Sequence, residues 1–192
     1  MGIIGACVQG ESRVKKIIFF LMATMAGTLS AHAYTGFGIC NYGKEIVPAV
    51  ICYGPAVLKG TTVVGGMKVA GPLKAINVMS GPIAVTGSAD LQNSKIKGPA
   101  TITGSLKATG VSFQQGLVIT TDDILLTHST VIGSVTVNSQ TKKPYLKMEC
   151  GSTISGSVTF GGMAGVIQIT DDSIVQGKVI NGSMEFVKKK CS

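Results

Sequence analysis

Apolar and polar residues alternate in short runs along most of this chain, and each run begins at a glycine. Four successive runs begin at Gly81, Gly98, Gly116 and Gly133, so these glycines are 17, 18 and 17 residues apart. A short repeat in which a turn residue leads into alternating β-branched residues is typical of a solenoid of β-coils. One coil cannot bury its apolar face alone, whereas stacked coils can.

The alternation also predicts which side chains point inward, because successive residues of a strand face opposite sides. The predicted inward pairs are Met67 and Val69, Ile83 and Val85, Leu106 and Ala108, Val111 and Phe113, and Val135 and Val137. The predicted outward threonines are Thr86, Thr101, Thr103, Thr120 and Thr136. We therefore predict an all-β fold: a right-handed, single-stranded parallel β-helix of seven or eight coils over residues 54–192.

The repeat is interrupted at two places. Gly54 and Gly71 are 17 residues apart, but Gly81 follows Gly71 after only ten, which indicates that Gly71 marks a corner within a coil. A polar insertion at 138–144 delays the next repeat, so that Gly156 comes 23 residues after Gly133. Insertions in a solenoid are extruded as loops. A long loop projecting here would favour an adhesin.

Residues 1–33 have the features of a secretory signal peptide. A basic segment at 13–16 precedes an apolar run at 17–29, and Ala31-His32-Ala33 matches a cleavage site. The run is shorter than the roughly 20 apolar residues of a membrane-spanning helix. We expect Tyr34 to be the mature N-terminus, no transmembrane segment after cleavage, and a secreted, periplasmic or cell-surface location.

Four cysteines follow the predicted signal peptide: Cys40, Cys52, Cys150 and Cys191. An even number in an oxidising compartment predicts disulfides, with free thiols as the alternative. Three pairings are possible, and the simplest joins Cys40 to Cys52 and Cys150 to Cys191. Because no Cys-x-x-Cys spacing occurs and only one histidine follows residue 33, we predict no metal site and no cofactor.

Residues 34–53 do not fit the repeat and contain four of the few aromatic residues: Tyr34, Phe37, Tyr42 and Tyr53. The open end of a solenoid exposes apolar core and unpaired backbone groups, so it needs a cover. We predict that 34–53 is an N-terminal cap segment closed by a disulfide. The alternative is an aromatic platform on which sugar rings stack.

Composition and charge narrow the class of partner. Glycine accounts for 26 of 192 residues and tryptophan is absent, which disfavours a compact helical domain. The formal charge of +8 becomes +6 once the charged residues of 1–33 are removed, and this favours anionic partners. The lysines are scattered along the sequence apart from 188–190, and no arginine follows residue 33, which argues against specific nucleic-acid recognition.

Two acidic pairs are the candidate catalytic residues, and each follows an alternating apolar run. They are Asp122 with Asp123, and Asp171 with Asp172, and we predict that they occupy like positions in their coils. Such pairs often cap turns, and adjacent strand residues point to opposite faces. The alternatives are a Ca²⁺ site and inverting glycoside hydrolysis, which needs two separated carboxyl groups. We interpret His128, the remaining candidate base, as an outward-facing strand residue.

The run of short coils at 17 to 18 residues with Gly-Ser or Gly-Pro corners, which includes the repeats at 131–137 and 154–160, resembles the bactofilin group of polymer-forming β-helix proteins. The resemblance covers about 54–187. It implies a short β-helix that assembles end to end into filaments without nucleotide. The chain differs from that group in carrying a signal peptide and cysteines, since bactofilins are cytoplasmic or membrane-attached.

We therefore predict a secreted, non-enzymatic structural or surface-interaction protein. It would associate with copies of itself, or bind a polysaccharide or another polyanion through exposed lysine and threonine rows. The alternative is a carbohydrate-active enzyme that uses Asp122, Asp123, Asp171 and Asp172.

Overall fold

A computed structural model describes residues 34–139, 143–170, 172–188 and 191. The predicted signal peptide, residues 1–33, lies outside the described residues. The strands of coils one to three are β1 (Tyr34–Gly36), β2 (Cys40–Tyr42), β3 (Ile46–Val47), β4 (Val50–Cys52), β5 (Ala56–Lys59), β6 (Thr62–Val63), β7 (Met67–Val69), β8 (Leu73–Ile76) and β9 (Met79–Ser80). Those of coils four to six are β10 (Ile83–Val85), β11 (Ala89–Gln92), β12 (Lys95–Ile96), β13 (Ala100–Ile102), β14 (Leu106–Thr109), β15 (Ser112–Phe113), β16 (Leu117–Ile119), β17 (Asp123–Thr127) and β18 (Thr130–Val131). Those of coils seven to nine are β19 (Val135–Ser139), β20 (Tyr145–Glu149), β21 (Thr153–Ile154), β22 (Val158–Gly162), β23 (Gly165–Thr170), β24 (Ile174–Val175), β25 (Val179–Ile180) and β26 (Gly182–Val187).

Every third strand along the chain belongs to the same sheet, so the solenoid has three faces. Face A runs from β1 to β25 and face B from β2 to β26, with nine strands each, and face C runs from β3 to β24 with eight. Neighbouring strands are parallel and in register, so Ile83 pairs with Ala100, which pairs with Leu117 one coil further on. The predicted parallel β-helix is confirmed. It has nine coils rather than seven or eight.

The additional coil comes from the segment that we separated as a cap. Strands β1, β2 and β3 pair in parallel with β4, β5 and β6, so residues 34–47 form the first coil. Tyr34 occupies the inward column of face A, since it pairs with the buried Val50. The first coil escapes the sequence pattern because aromatic and cysteine side chains take inward positions that later coils give to valine, leucine and isoleucine.

The core is the column of inward side chains that the coils stack on one another. All ten residues predicted to point inward are buried. The five threonines predicted to point outward are exposed or partly exposed. Stacking of like positions lets each apolar side chain contact those above and below it, which removes both from water.

Glycines permit the tight corners, where the backbone of one coil lies directly on that of the next. A Cβ atom on Gly71 would lie 2.7 Å from the carbonyl carbon and oxygen of Gly54, closer than two non-bonded atoms approach. Gly54 and Gly71 lie between faces A and B, whereas Gly81 lies between faces C and A. The ten-residue break in the sequence therefore marks a change from one corner column to another.

The corner between faces B and C is built differently. Four successive turns here each contain one residue with a positive φ: Asn77 (54°), Asn93 (46°), Gly110 (64°) and His128 (48°). Asparagine tolerates this left-handed conformation better than most residues. The prediction that His128 lies in a strand is wrong, because it follows the end of β17 and turns the chain toward face C.

Buried hydroxyl groups complete the hydrogen bonding of this corner. The Oγ atoms of Ser94, Ser129 and Ser152 accept hydrogen bonds from the backbone N–H groups of Val78 (3.0 Å), Val111 (3.1 Å) and Ser129 (3.2 Å) respectively. The turn carries these N–H groups away from the carbonyl ladder, and a buried donor without a partner would be costly. The serines therefore replace the missing carbonyl acceptors.

Both predicted disulfide pairs are present. Cys40 is joined to Cys52 with Cα atoms 6.2 Å apart, and Cys150 to Cys191 with Cα atoms 5.4 Å apart. The first links coils one and two, and the second fastens the C-terminal tail to the corner that follows β20. In the described part of the chain, no helix is long and apolar enough to span a membrane.

Candidate functional site

The described members of the two acidic pairs, Asp122, Asp123 and Asp172, do not converge on one site. Asp123 begins β17 on face B, and its register partners in the next two coils are Tyr145 and Val166. Asp172 instead follows the far end of β23, at the corner between faces B and C. The prediction that the two pairs occupy like positions is therefore wrong. Asp171 lies outside the described residues.

Asp172 is exposed and its contacts are those of a corner residue. Its Oδ1 accepts a hydrogen bond of 2.9 Å from the Thr170 hydroxyl, and this bond, more than the backbone of Gly151 or the nearby His128, lowers the pKa of the carboxyl group. Its Oδ2 lies 3.8 Å from Sγ of Cys191. Among the described residues, no three side chains of the histidine, cysteine or acidic types form a cluster suited to a metal. Asp172 thus stabilises the corner beside the C-terminal disulfide.

A row of lysines follows face B along the solenoid axis. Register places Lys74, Asp90, Lys107, Leu125 and Lys147 one above another in coils three to seven, all on the outward side. Strands lie about 4.8 Å apart, so successive lysines of the row are about 10 Å apart. None of the three ammonium groups has a hydrogen bond or ion pair within the described part of the chain.

This row forms the wall of a shallow cleft, which we call the lysine groove. The cleft has a volume of about 590 Å³ and extends from coil two to coil seven. Its other wall is the corner between faces A and B, which is lined by Pro55, Pro72, Ser88 and Ser105. The groove is therefore open along the axis, in a shape that suits an extended polymer better than a compact ligand.

Two carboxylates also line the lysine groove. Asp90 lies between Lys74 and Lys107, and Gln92 Nε2 donates to its Oδ1 at 3.2 Å and to its Oδ2 at 3.3 Å. Asp123 lies near the C-terminal end of the groove. The groove thus combines three cationic donors with two anionic acceptors, which distinguishes it from a uniformly positive surface.

The aromatic residues of the first two coils fall into two groups. Tyr34 and Tyr42 pack edge to face with ring centroids 6.3 Å apart, and Tyr42 contacts the core, so this pair covers part of the N-terminal end. Partial burial raises the pKa of the Tyr42 hydroxyl, with a smaller contribution from Glu45. Phe37 and Tyr53 stack at 5.1 Å and are 85% and 57% exposed. This second pair, the aromatic stack, covers no core.

The last coil leaves inward positions uncovered. Met184 and Phe186 of β26 pair with the buried Ile167 and Ile169, yet they are 47% and 73% exposed. We call Met184 and Phe186 the C-terminal end surface. Within the described residues, β25 and β26 each have a hydrogen-bonded strand on one side only.

The sequence did not reveal the lysine groove, since its lysines are 33 and 40 residues apart. These separations correspond to two coils each, but the second pair of coils contains the insertion at 138–144. Only the strand register shows that the three side chains share one row. No protein-family model, curated protein or solved structure matches the chain.

Proposed function

We propose that this chain is a non-enzymatic structural protein that associates end to end with copies of itself. The C-terminal end surface carries the proposal. Met184 and Phe186 are inward apolar side chains in a coil that no further coil of the described residues covers, and a second copy would remove them from water. The free edges of β25 and β26 would gain backbone partners at the same time.

The geometry of the coils favours the N-terminal coil of a second copy as the occupant. Each described coil pairs in parallel with the next, and among the described strands β1 and β2 each have a hydrogen-bonded neighbour on one side only. Placed on β25 and β26, these strands would continue the ladders of faces A and B. Such a head-to-tail contact does not close on itself and produces a linear filament.

The resemblance to bactofilins leads to the same proposal, because filament formation by short β-helices is what that resemblance implies. The two disulfides support a protein of an oxidising compartment, consistent with export through the signal peptide expected at 1–33. An enzymatic role receives less support, because Asp123 and Asp172 lie at opposite ends of face B strands.

Sedimentation of the oxidised protein lacking residues 1–33, with negative-stain microscopy, tests the proposal. Met184→Lys places a charge on the C-terminal end surface and should yield monomers. Met79→Lys is the matched control, because Met79 is 38% exposed on the side of face C and should leave filaments intact. Monomeric wild-type protein at all concentrations would refute self-assembly, and closed dimers would refute the head-to-tail contact.

An anionic polymer is the second candidate partner, and the lysine groove is the observation that favours it. Three ammonium groups in one row, with no ion pair among the described residues, would attract a polymer that carries regularly spaced negative charge. Binding of polygalacturonate that declines with added salt is the expected result.

A further inference from the structure

We infer that the polymer bound in the lysine groove is an acidic polysaccharide that lies along the solenoid axis, with its sugar rings recognised as well as its charges. This inference rests on the second proposed function, that the groove binds an anionic polymer. It adds the chemical class of the polymer, its direction and the residues that contact it.

The spacing of the lysines is the first argument. Lys74, Lys107 and Lys147 are about 10 Å apart in succession, since each step covers two coils of about 4.8 Å. A linear polyuronate in an extended two-fold conformation turns successive rings to opposite sides, so the carboxylates on one side recur once in each disaccharide, at a comparable interval. A polyphosphate carries a charge on every phosphate unit and would leave most of its charges between the lysines.

The carboxylates are the second argument. Asp90 lies in the row between Lys74 and Lys107, and Gln92 holds its carboxylate in place. A carboxylate repels a polyanion that has no hydrogen to donate, but it accepts strong hydrogen bonds from hydroxyl groups. Sugar hydroxyls between the charged groups of the polymer would therefore meet Asp90, whereas phosphate oxygens would be rejected.

The aromatic stack is the third and independent argument. Tyr53 is two residues before Pro55, which lines the N-terminal end of the lysine groove. Because Phe37 is 85% exposed, its ring offers an apolar face to solvent although it contributes nothing to the core. The C–H face of a pyranose ring packs on such a surface, and Val57 and Leu125 extend apolar contact into the groove itself.

Two triple variants of equal charge test the inference. The groove variant combines Lys74→Gln, Lys107→Gln and Lys147→Gln. The matched control combines Lys68→Gln, Lys95→Gln and Lys97→Gln, which are exposed lysines away from the groove. Affinity electrophoresis in gels containing polygalacturonate, neutral dextran or inorganic polyphosphate measures binding, and thermal melting followed by circular dichroism checks that each variant folds.

We expect the groove variant to bind polygalacturonate about ten-fold more weakly than the control variant, since three exposed ion pairs are lost. Phe37→Ala with Tyr53→Ala should weaken polygalacturonate binding and leave any polyphosphate binding unchanged. Asp90→Asn should narrow the preference for polygalacturonate over polyphosphate.

The outcomes separate the inference from the function on which it rests. If neither polygalacturonate nor polyphosphate binds, the proposed binding of anionic polymers is wrong. If both bind equally well and the aromatic variant behaves as wild type, the groove recognises charge alone and the polysaccharide inference is wrong. Equal loss in the two lysine variants would show that binding is spread over the whole surface.

Discussion

Two buried serines offer the strictest test of the hydrogen bonding described above, because replacing each by alanine should change the stability of the protein in opposite directions. Ser80 and Ser129 are both fully buried. Ser129 Oγ accepts a hydrogen bond from Val111 N–H and donates to a carbonyl oxygen of Thr127 or Ala108, at 2.9 and 3.1 Å. Ser80 Oγ has no hydrogen-bond partner within the described part of the chain.

The magnitudes follow from these contacts. Ser129→Ala leaves the buried N–H of Val111 without an acceptor and removes one further hydrogen bond, a loss of about 2–3 kcal/mol in the free energy of unfolding. Ser80 lies between Val63 and Ile96 in the inward column of face C, where its hydroxyl group is removed from water without forming a hydrogen bond to a described residue. Ser80→Ala removes that desolvation cost, and we expect a gain of about 1 kcal/mol after the small cavity is counted.

Urea unfolding at constant pH, followed by circular dichroism with both disulfides intact, measures the difference. The two midpoints should move in opposite directions from wild type with similar slopes, and the melting temperatures should differ by roughly 6–16 °C. Destabilisation of both variants by similar amounts would show that Ser80 has a hydrogen-bond partner, and would refute the argument.

Three further substitutions test the corners and the tail. Gly71→Ala should lower the free energy of unfolding by about 3 kcal/mol in urea titrations, because its Cβ atom would lie 2.7 Å from the Gly54 carbonyl group. The control, Gly43→Ala, places a Cβ atom with no atom within 4 Å and should change that free energy by less than about 0.5 kcal/mol. Equal effects would contradict the stacking of corners. Asp172→Asn should lower the urea midpoint in neutral buffer, because the folded-state pKa of this carboxyl group lies below its ordinary value of 3.8. The stabilisation by the ionised carboxylate is present above that value and is lost as the pH falls through the folded-state pKa. A difference in midpoint between variant and wild type that persists in strong acid would refute this reasoning. Replacing Cys150 and Cys191 by alanine should lower the free energy of unfolding by about 4 kcal/mol in the same titration, and replacing Cys40 and Cys52 should lower it by about 3 kcal/mol. The disulfide between Cys150 and Cys191 has the larger effect because its cysteines are 41 positions apart in the sequence, against 12 for the other disulfide. The reverse order would contradict this account.

The coils could be predicted from the sequence because each one is specified by a pattern within a few neighbouring residues. A glycine corner followed by alternating β-branched residues specifies one strand, and stacking requires only that the next coil repeat the pattern. Both disulfide pairs were predicted as the simplest of three possible pairings, the one that joins cysteines adjacent in the order of the sequence. The first coil was missed because Tyr34, Cys40 and Tyr42 take inward positions without resembling the valines and isoleucines of later coils.

The positions of the acidic pairs could not be read from the sequence for a different reason. Asp122 and Asp172 each follow an alternating apolar run, but Asp122 follows β16 on face A and Asp172 follows β23 on face B. The two faces have the same inward and outward alternation, so a local pattern does not show which corner comes next. The lysine groove could not be predicted for a similar reason. Its lysines lie in coils of unequal length, so only the strand register shows that they form one row.

The C-terminal end surface and the lysine groove would both act along the solenoid axis, so end-to-end assembly would affect the binding of a polymer. Copies stacked through the C-terminal end surface would bring successive lysine grooves into one line, so a polysaccharide longer than one groove would contact several copies. Each additional contact is then intramolecular and raises the overall affinity. Long polygalacturonate should therefore lower the protein concentration at which filaments sediment, whereas short oligomers that fill one groove should not. Met184→Lys should abolish this effect of chain length while leaving the binding of short oligomers unchanged. If long and short polymers act alike on the wild-type protein, the grooves of neighbouring copies are not aligned.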